Sequence, residues 1–302
     1  MAEGVYMVRK SIELHKYFFS LLLMLLINTV FSNQHISDAR PSDQEISKQL
    51  NDPLAPIIFM PIVSQHYQWT QGSAVGNTTG TSESARPTFP IFLPNNKLVL
   101  LNHAVIPYFN VPNGAAYPDF GNTTLGNTKH IQPGFSNIVG PIQIMSALAL
   151  NKADGLNAGI GPYLNIPIGK LGGMDQNVGL GAAGIVRYIK DAWVVSAIIQ
   201  NAWSIGQNGN APKFSQFMLT PNISYNFTNG WSILTIPFIT ADLIIPGGNW
   251  FVPLGGGVGK VVHFGKLPVQ FVAHIYNDVI RTKQDPAWSG RFVVALMLPE
   301  KS

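Results

Sequence analysis

From residue 56 to residue 298 the chain alternates short runs with a two-residue period and turns rich in Gly, Pro and Asn. The runs cover 56–71, 86–94, 97–111, 135–150, 155–168, 177–190, 191–206, 213–227, 230–244, 249–263, 266–281 and 287–298. In 213–227 the odd positions are Phe217, Leu219, Pro221, Ile223, Tyr225 and Phe227, and the even ones are Gln216, Met218, Thr220, Asn222, Ser224 and Asn226. Successive side chains of a strand point to opposite faces, so this run predicts a strand with one apolar and one mostly polar face. Segment 155–168 sets Leu156, Ile160, Leu164, Ile166 and Ile168 against Asn157, Gly159, Gly161 and Asn165. Segment 287–298 sets Trp288, Phe292, Val294, Leu296 and Leu298 against Ser289 and Arg291, while 97–111 and 230–244 alternate poorly.

The connections sharpen the picture. Those at 72–85, 112–134, 169–176, 207–212, 245–248 and 282–286 are each longer than the turns that flank them at 95–96, 151–154, Lys190-Asp191, Thr228-Asn229 and Phe264-Gly265. Short turns on one rim and longer loops on the other characterise barrels of the bacterial outer membrane. The expected fold is therefore all-β: a closed antiparallel transmembrane β-barrel of about twelve strands over residues 56–302, with both termini periplasmic. After the N-terminal region there is no apolar run long enough for a membrane helix, which leaves a closed barrel as the alternative in lipid.

Two segments precede the barrel. Arg9, Lys10 and Lys16 lead into an apolar run from Tyr17 to Phe31, and Val30-Phe31-Ser32 offers a cleavage site, so 1–32 reads as a secretory signal peptide. In 33–55, Ser42 with Glu45 forms a capping-box pattern, Ile46 and Leu50 share a helical face, and Asp52-Pro53 stops the run. A short helix and a flexible tether are both compatible with this periplasmic segment.

Composition narrows the function classes. Only 11% of residues are charged, against roughly 25% in soluble domains, which fits a chain with much of its surface in lipid. The formal charge of +4 is unclustered and gives no nucleic-acid patch. With no cysteine there is no disulfide, thiolate metal site, lipid-anchor cysteine or cysteine nucleophile. Trp193 and Trp203 lie on the same face of one run, and a strand tilted near 45° separates them by roughly 23 Å, close to the spacing of two aromatic girdles. Trp231, Trp250 and Trp288 are candidates for the same belts.

Catalytic and cofactor motifs are weak. Gly179-Leu180-Gly181-Ala182-Ala183-Gly184 fits a dinucleotide fingerprint, but the strand-like Ile185-Val186-Arg187-Tyr188-Ile189 follows where a helix is required. Gly255-Gly256-Gly257-Val258-Gly259-Lys260 misses the phosphate-loop spacing and lacks Ser or Thr after the lysine. The histidines are scattered and no nucleophile elbow occurs, so neither enzyme activity nor a cofactor or metal is expected. Opposite the apolar faces stand Arg187, Gln200, Gln216, Asn222, Gln270, His274, Asp278 and Arg291, the candidate lumen-lining set. An arginine facing lipid costs roughly 2–4 kcal/mol at mid-bilayer, which favours turning both inward. There they either border a water path or pair with a carboxylate such as Asp278.

Several segments resemble a known family. They are Gly159-Ile160-Gly161-Pro162, Trp193 to Gln200, Asn201-Ala202-Trp203-Ser204, Pro221-Asn222-Ile223-Ser224-Tyr225-Asn226, Val252 to Lys260, Gly265-Lys266 and Pro268-Val269, with Asn51-Asp52-Pro53 and Pro61 near the start. The chain resembles outer-membrane transporters related to the MetA-pathway phenol-degradation protein, also described as neuromedin U precursor-like. The final strand departs from the outer-membrane pattern in ending Leu296-Met297-Leu298-Pro299 without a terminal aromatic. The resemblance implies a barrel that moves small, often apolar or aromatic solutes. A non-conducting structural or adhesive surface barrel with ligand-binding extracellular loops is the alternative, and an outer-membrane enzyme a lesser one. The expected partners are outer-membrane lipid, the barrel assembly machinery and a small solute.

Overall fold

The computed structural model describes residues 41–55, 57–94, 97–116, 134–152, 155–168, 176–206, 208–209 and 211–298. The expected signal peptide and most of the 112–134 loop lie outside the described residues. One helix, α1 (Asp43–Leu50), precedes the strands β1 (Ile58–Trp69), β2 (Thr78–Ala85), β3 (Thr88–Phe92), β4 (Leu98–Pro112), β5 (Phe135–Val139), β6 (Ile142–Leu150), β7 (Gly155–Ile166) and β8 (Val178–Lys190). There follow β9 (Trp193–Ile205), β10 (Ser215–Asn226), β11 (Trp231–Thr235), β12 (Ile239–Asp242), β13 (Val252–Phe264), β14 (Leu267–Ile280) and β15 (Trp288–Leu298).

These segments form a single sheet. With β2 and β3, β5 and β6, and β11 and β12 each taken as one interrupted strand, neighbours in the chain pair with one another, β15 returns to β1, and every pairing with a traced register is antiparallel. Three staves of the wall are interrupted: β2 and β3 at Arg86-Pro87, β5 and β6 at Gly140-Pro141, and β11 and β12 at Ile236-Pro237-Phe238. Proline supplies no backbone N–H to a ladder, so the breaks fall at Pro87, Pro141 and Pro237. Counting each interrupted stave once, the sheet is a closed antiparallel barrel of twelve strands.

The wall has an outer apolar face. Leu156 and Ile160 on β7, Leu180 and Val186 on β8, Val195 and Ile199 on β9, and Ile223 on β10 are all exposed. Large apolar side chains in continuous exposed rows mark a surface that meets an apolar medium. Around β1, β2 and β4 the apolar rows stop part-way: Ile58, Met60 and Ile62 give way along β1 to Ser64, His66 and Gln68. Ser64 there donates to Glu83 on β2 over 2.8 Å.

One expectation is corrected, and two irregular segments find their reasons. The connection expected at 72–85 contains β2, which pairs with β1 from Ile62↔Ala85 to Trp69↔Thr78. Its sequence, Thr-Thr-Gly-Thr-Ser-Glu-Ser-Ala, has no apolar stripe, so only backbone pairing reveals it. Segment 230–244 alternates poorly because Pro237 splits it into two pieces. Segment 97–111 alternates poorly for a different reason: inward Val99, Leu101, Val105 and Phe109 are as apolar as outward Leu98, Leu100 and Ile106.

Candidate functional site

The barrel has a turn rim, which carries the short connections and residues 41–57, and an opposite loop rim. At the turn rim α1 enters the lumen. The Ser42 hydroxyl caps it by accepting from the Glu45 N–H at 3.2 Å. Ile46 and Leu50 pack on Phe59, Val261 and Ala295 of the inner wall. Polar groups fix the other side of this plug. Asn226 Oδ1 accepts from Ser47 Oγ at 2.7 Å and from Asn51 Nδ2 at 2.8 Å, and Asn226 O accepts from Gln44 Nε2 at 2.7 Å. Asn222 Nδ2 donates to Asn51 O.

Below the helix, Asp52 meets Arg187 of β8 with an N–O distance of 3.1 Å, both side chains being at most 4% exposed. Arg187 also donates to Lys152 O, and Asp52 Oδ1 accepts from the Leu54 N–H. Burial pushes the Asp52 carboxyl up to about 6 even though the guanidinium beside it pulls the other way.

Above the plug lies a chamber of about 180 Å³. Its floor is Leu50 to Pro53, and its walls are mostly apolar, with Phe59, Val63, Leu234, Val272 and Val293 among them. The kink at Pro237 turns Phe238 into the lumen. Its ring has the Arg291 guanidinium carbon 4.0 Å from the centroid and that of Arg86 at 4.4 Å. Arg291 also donates from Nε to Gln65 Oε1 at 3.0 Å and from Nη1 to Ile236 O at 2.7 Å, and lies over the Tyr276 ring. A second cavity of about 70 Å³ shares Arg86, His103 and Phe238 with the chamber and extends to Gln143, Met145, Tyr163 and Gln200.

The glycine-rich stretch of β13 shapes one wall. Gly257 pairs with His274 and Gly255 with Tyr276 on β14. A Cβ at Gly257 would stand 2.0 Å from Ala273 O and 2.7 Å from His274 Cδ2, and one at Gly255 would stand 2.0 Å from Ile275 O. These glycines let two rings lie along the wall, stacked with centroids 5.6 Å apart. The dinucleotide-like glycines at 179–184 likewise belong to a strand, β8, where a Cβ at Gly181 would meet Asn201 O at 1.7 Å.

Each residue of the candidate lumen set is buried on the inner side. The structure brings Asn222, Gln270, His274 and Arg291 together around the chamber and places Gln200 on the smaller cavity. Gln216 is tied to Asn165 at 2.6 Å. Arg187 is beside the plug, where it meets Asp52, a carboxylate other than Asp278, while Arg291 rests on Gln65 and Ile236 O; Asp278 stands beyond Tyr276 toward the loop rim. The candidate belt residues Trp193, Trp203, Trp231, Trp250 and Trp288 are all exposed, the first and third at the turn rim and the others at the loop rim.

The sequence leaves the lumen open between a water path and a wall of paired side chains; in the structure apolar clusters stand beside the buried polar set. Leu54, Leu101, Met145, Tyr163 and Ile185 form one inner cluster, while Tyr67, Trp69, Val105 and Phe109 form another toward the loop rim. There Trp69 Nε1 donates to Gln284 O at 2.7 Å, so the 281–287 loop folds over the opening. Sequence reading missed Arg86, His103, Phe238 and Asp52. Arg86 keeps the inward parity of Ser82 and Ser84 but stands at the start of an expected segment, and the signal that exposes Phe238 is Pro237.

No protein-family model matches the chain, and no curated protein matches it by sequence. Its structure is similar to the crystal structure of the COG4313 outer membrane channel from Pseudomonas putida F1: TM-score 0.54, 12% identity, covering 88% of this chain and all of the other. The two share the closed antiparallel β-barrel fold. It also aligns with outer membrane phospholipase A from Escherichia coli, at TM-score 0.41 and 12% identity over 86% of this chain and 99% of that one.

Proposed function

We propose that this barrel is an outer-membrane channel for small apolar or aromatic solutes, with the helix at its turn rim as an internal plug. The observation that carries the reading is the chamber between plug and Phe238, an apolar-walled space inside a closed barrel whose outer wall suits lipid. An apolar lumen lowers the cost of moving an apolar solute out of water, whereas a wide polar lumen favours ions and sugars. The turn rim faces the periplasm in this reading, and the exposed tryptophans sit at the two interfaces. The resemblance to MetA-pathway transporters agrees with the solute class.

The test is uptake of single-ring aromatics into liposomes carrying the purified chain, together with planar-bilayer current. Permeation above the lipid background supports the channel. A second reading has its own support, since the plug occupies the turn rim and Gln284 meets Trp69 at the loop rim: a non-conducting structural or adhesive barrel. Neither current nor uptake in the intact chain or in a variant with a loosened plug would establish that reading instead.

A further inference from the structure

Two features of the chamber keep polar capacity that the wall does not use. The first is Arg291, 5% exposed, whose donors are matched only at Nε and at one Nη1 proton, by a neutral amide and a backbone carbonyl. Its remaining guanidinium N–H groups have no acceptor among the described residues, and a guanidinium presents a fork of donors that matches a carboxylate. The second is His274, its strand neighbour in the β14–β15 register. It is 7% exposed, and neither Nδ1 nor Nε2 has a hydrogen-bond partner among the described residues. Buried polar atoms are nearly always satisfied, so an imidazole left open toward a cavity points to a ligand group. Asp52, the one carboxylate among the described residues that line the chamber, is engaged by Arg187 on the plug side. Arg86 stands on the same Phe238 ring as Arg291 and adds a second positive charge.

We infer that the chamber binds a small amphipathic monoanion, a carboxylate attached to an apolar body of about one ring. Arg291 takes the carboxylate through its unmatched N–H fork, and His274 bonds the same group from the neighbouring strand. The body rests against Val272, Val293, Leu234 and Phe59. Size agrees: an apolar void of ~150 Å³ accepts benzene, and the chamber measures about 180 Å³. This assignment rests on the channel reading and names its solute class.

Calorimetric titration of the purified, detergent-solubilised chain separates the two ideas. Benzoate should saturate one site and bind at least ten-fold more tightly than benzyl alcohol, which has the ring without the charge, and than benzylammonium, which reverses it. R291Q should lower benzoate affinity ten-fold or more, in protein still shown to be a closed barrel by its heat-dependent gel mobility. H274F, which keeps the ring shape and loses both nitrogens, should weaken benzoate several-fold and serves where R291Q fails to fold. Equal affinities for benzoate and benzyl alcohol, or benzoate binding unchanged in folded R291Q or H274F, would overturn the assignment. Benzoate uptake into liposomes is measured separately. Binding without uptake keeps the site and removes the channel, and uptake without saturable binding keeps the channel and removes the site.

Discussion

Arg187 and Arg291 face the same lumen, are equally buried, and have opposite surroundings. Arg187 stands at the turn rim with an ion pair to Asp52 and a backbone carbonyl, inside a net of amides from Asn51, Asn222 and Asn226. Arg291 stands in the middle of the barrel against two aromatic rings, one glutamine and one carbonyl. A charge removed from water needs a partner. At the rim the chain supplies that partner itself and gains a fixed plug. In the chamber it supplies only part of one, and the remainder is capacity for a ligand. The same residue type at the same burial therefore closes the lumen in one place and can select its contents in another.

The largest effect should come from breaking the rim pair on one side only. D52A leaves Arg187 buried without its counter-charge, a loss of roughly 3–5 kcal/mol for a buried pair. Plug release should follow, seen as faster proteolysis within 41–55 and increased bilayer current. Replacing both, as D52L with R187M, should restore most of the protection; if it does not, the pair is not what secures the plug.

Asn226 holds the same plug through neutral bonds, so its loss should cost less. N226A strands Ser47 and Asn51, at about 1–3 kcal/mol for unsatisfied buried groups. Proteolysis of the plug should accelerate, though less than in D52A, and an order reversed between the two would give the amide net the leading role.

In the chamber, F238A should widen the constriction and remove the ring between the two arginines, each contact worth ~0.5–2 kcal/mol. Aromatic uptake should rise and discrimination among ring sizes should fall. Unchanged selectivity would move the constriction elsewhere, the Trp69–Gln284 closure being the next place to look.

The smallest effect is one of pH. Docking raises the Asp52 carboxyl from 3.8 to about 6, so the docked plug holds a proton more tightly than the undocked one. That contribution is complete below pH 3.8 and is lost as pH rises through about 6. The plug should therefore resist thermal release better at pH 5 than at pH 7, and D52N should flatten the difference. A wild-type plug equally stable at both values removes the titration from the mechanism.

Legibility followed the physics of each region. Where lipid-facing and lumen-facing positions differ in polarity, as along 213–227, the strand and its inward residues were readable, and the unequal connections gave the antiparallel barrel. The Ser42 cap and the Ile46/Leu50 face allowed a helix or a tether there, and the structure has the helix. Strand β2 was hidden because a run of small polar residues has no period to read, and β4 was obscured because both its faces are apolar.

Local pattern sufficed for the strand-turn rhythm, the inward parity of Arg187, Asn222, Gln270, His274 and Arg291, and the outward parity of Trp193, Trp203, Trp231, Trp250 and Trp288, since parity is a local property of an extended chain. Only the tertiary structure decided which inward groups meet. Asp52 reaches Arg187 because a helix from before the barrel folds back into it, and Phe238 meets Arg86 and Arg291 because the closed wall brings the three staves around one lumen. Those contacts depend on closure, and no local pattern of side chains encodes them.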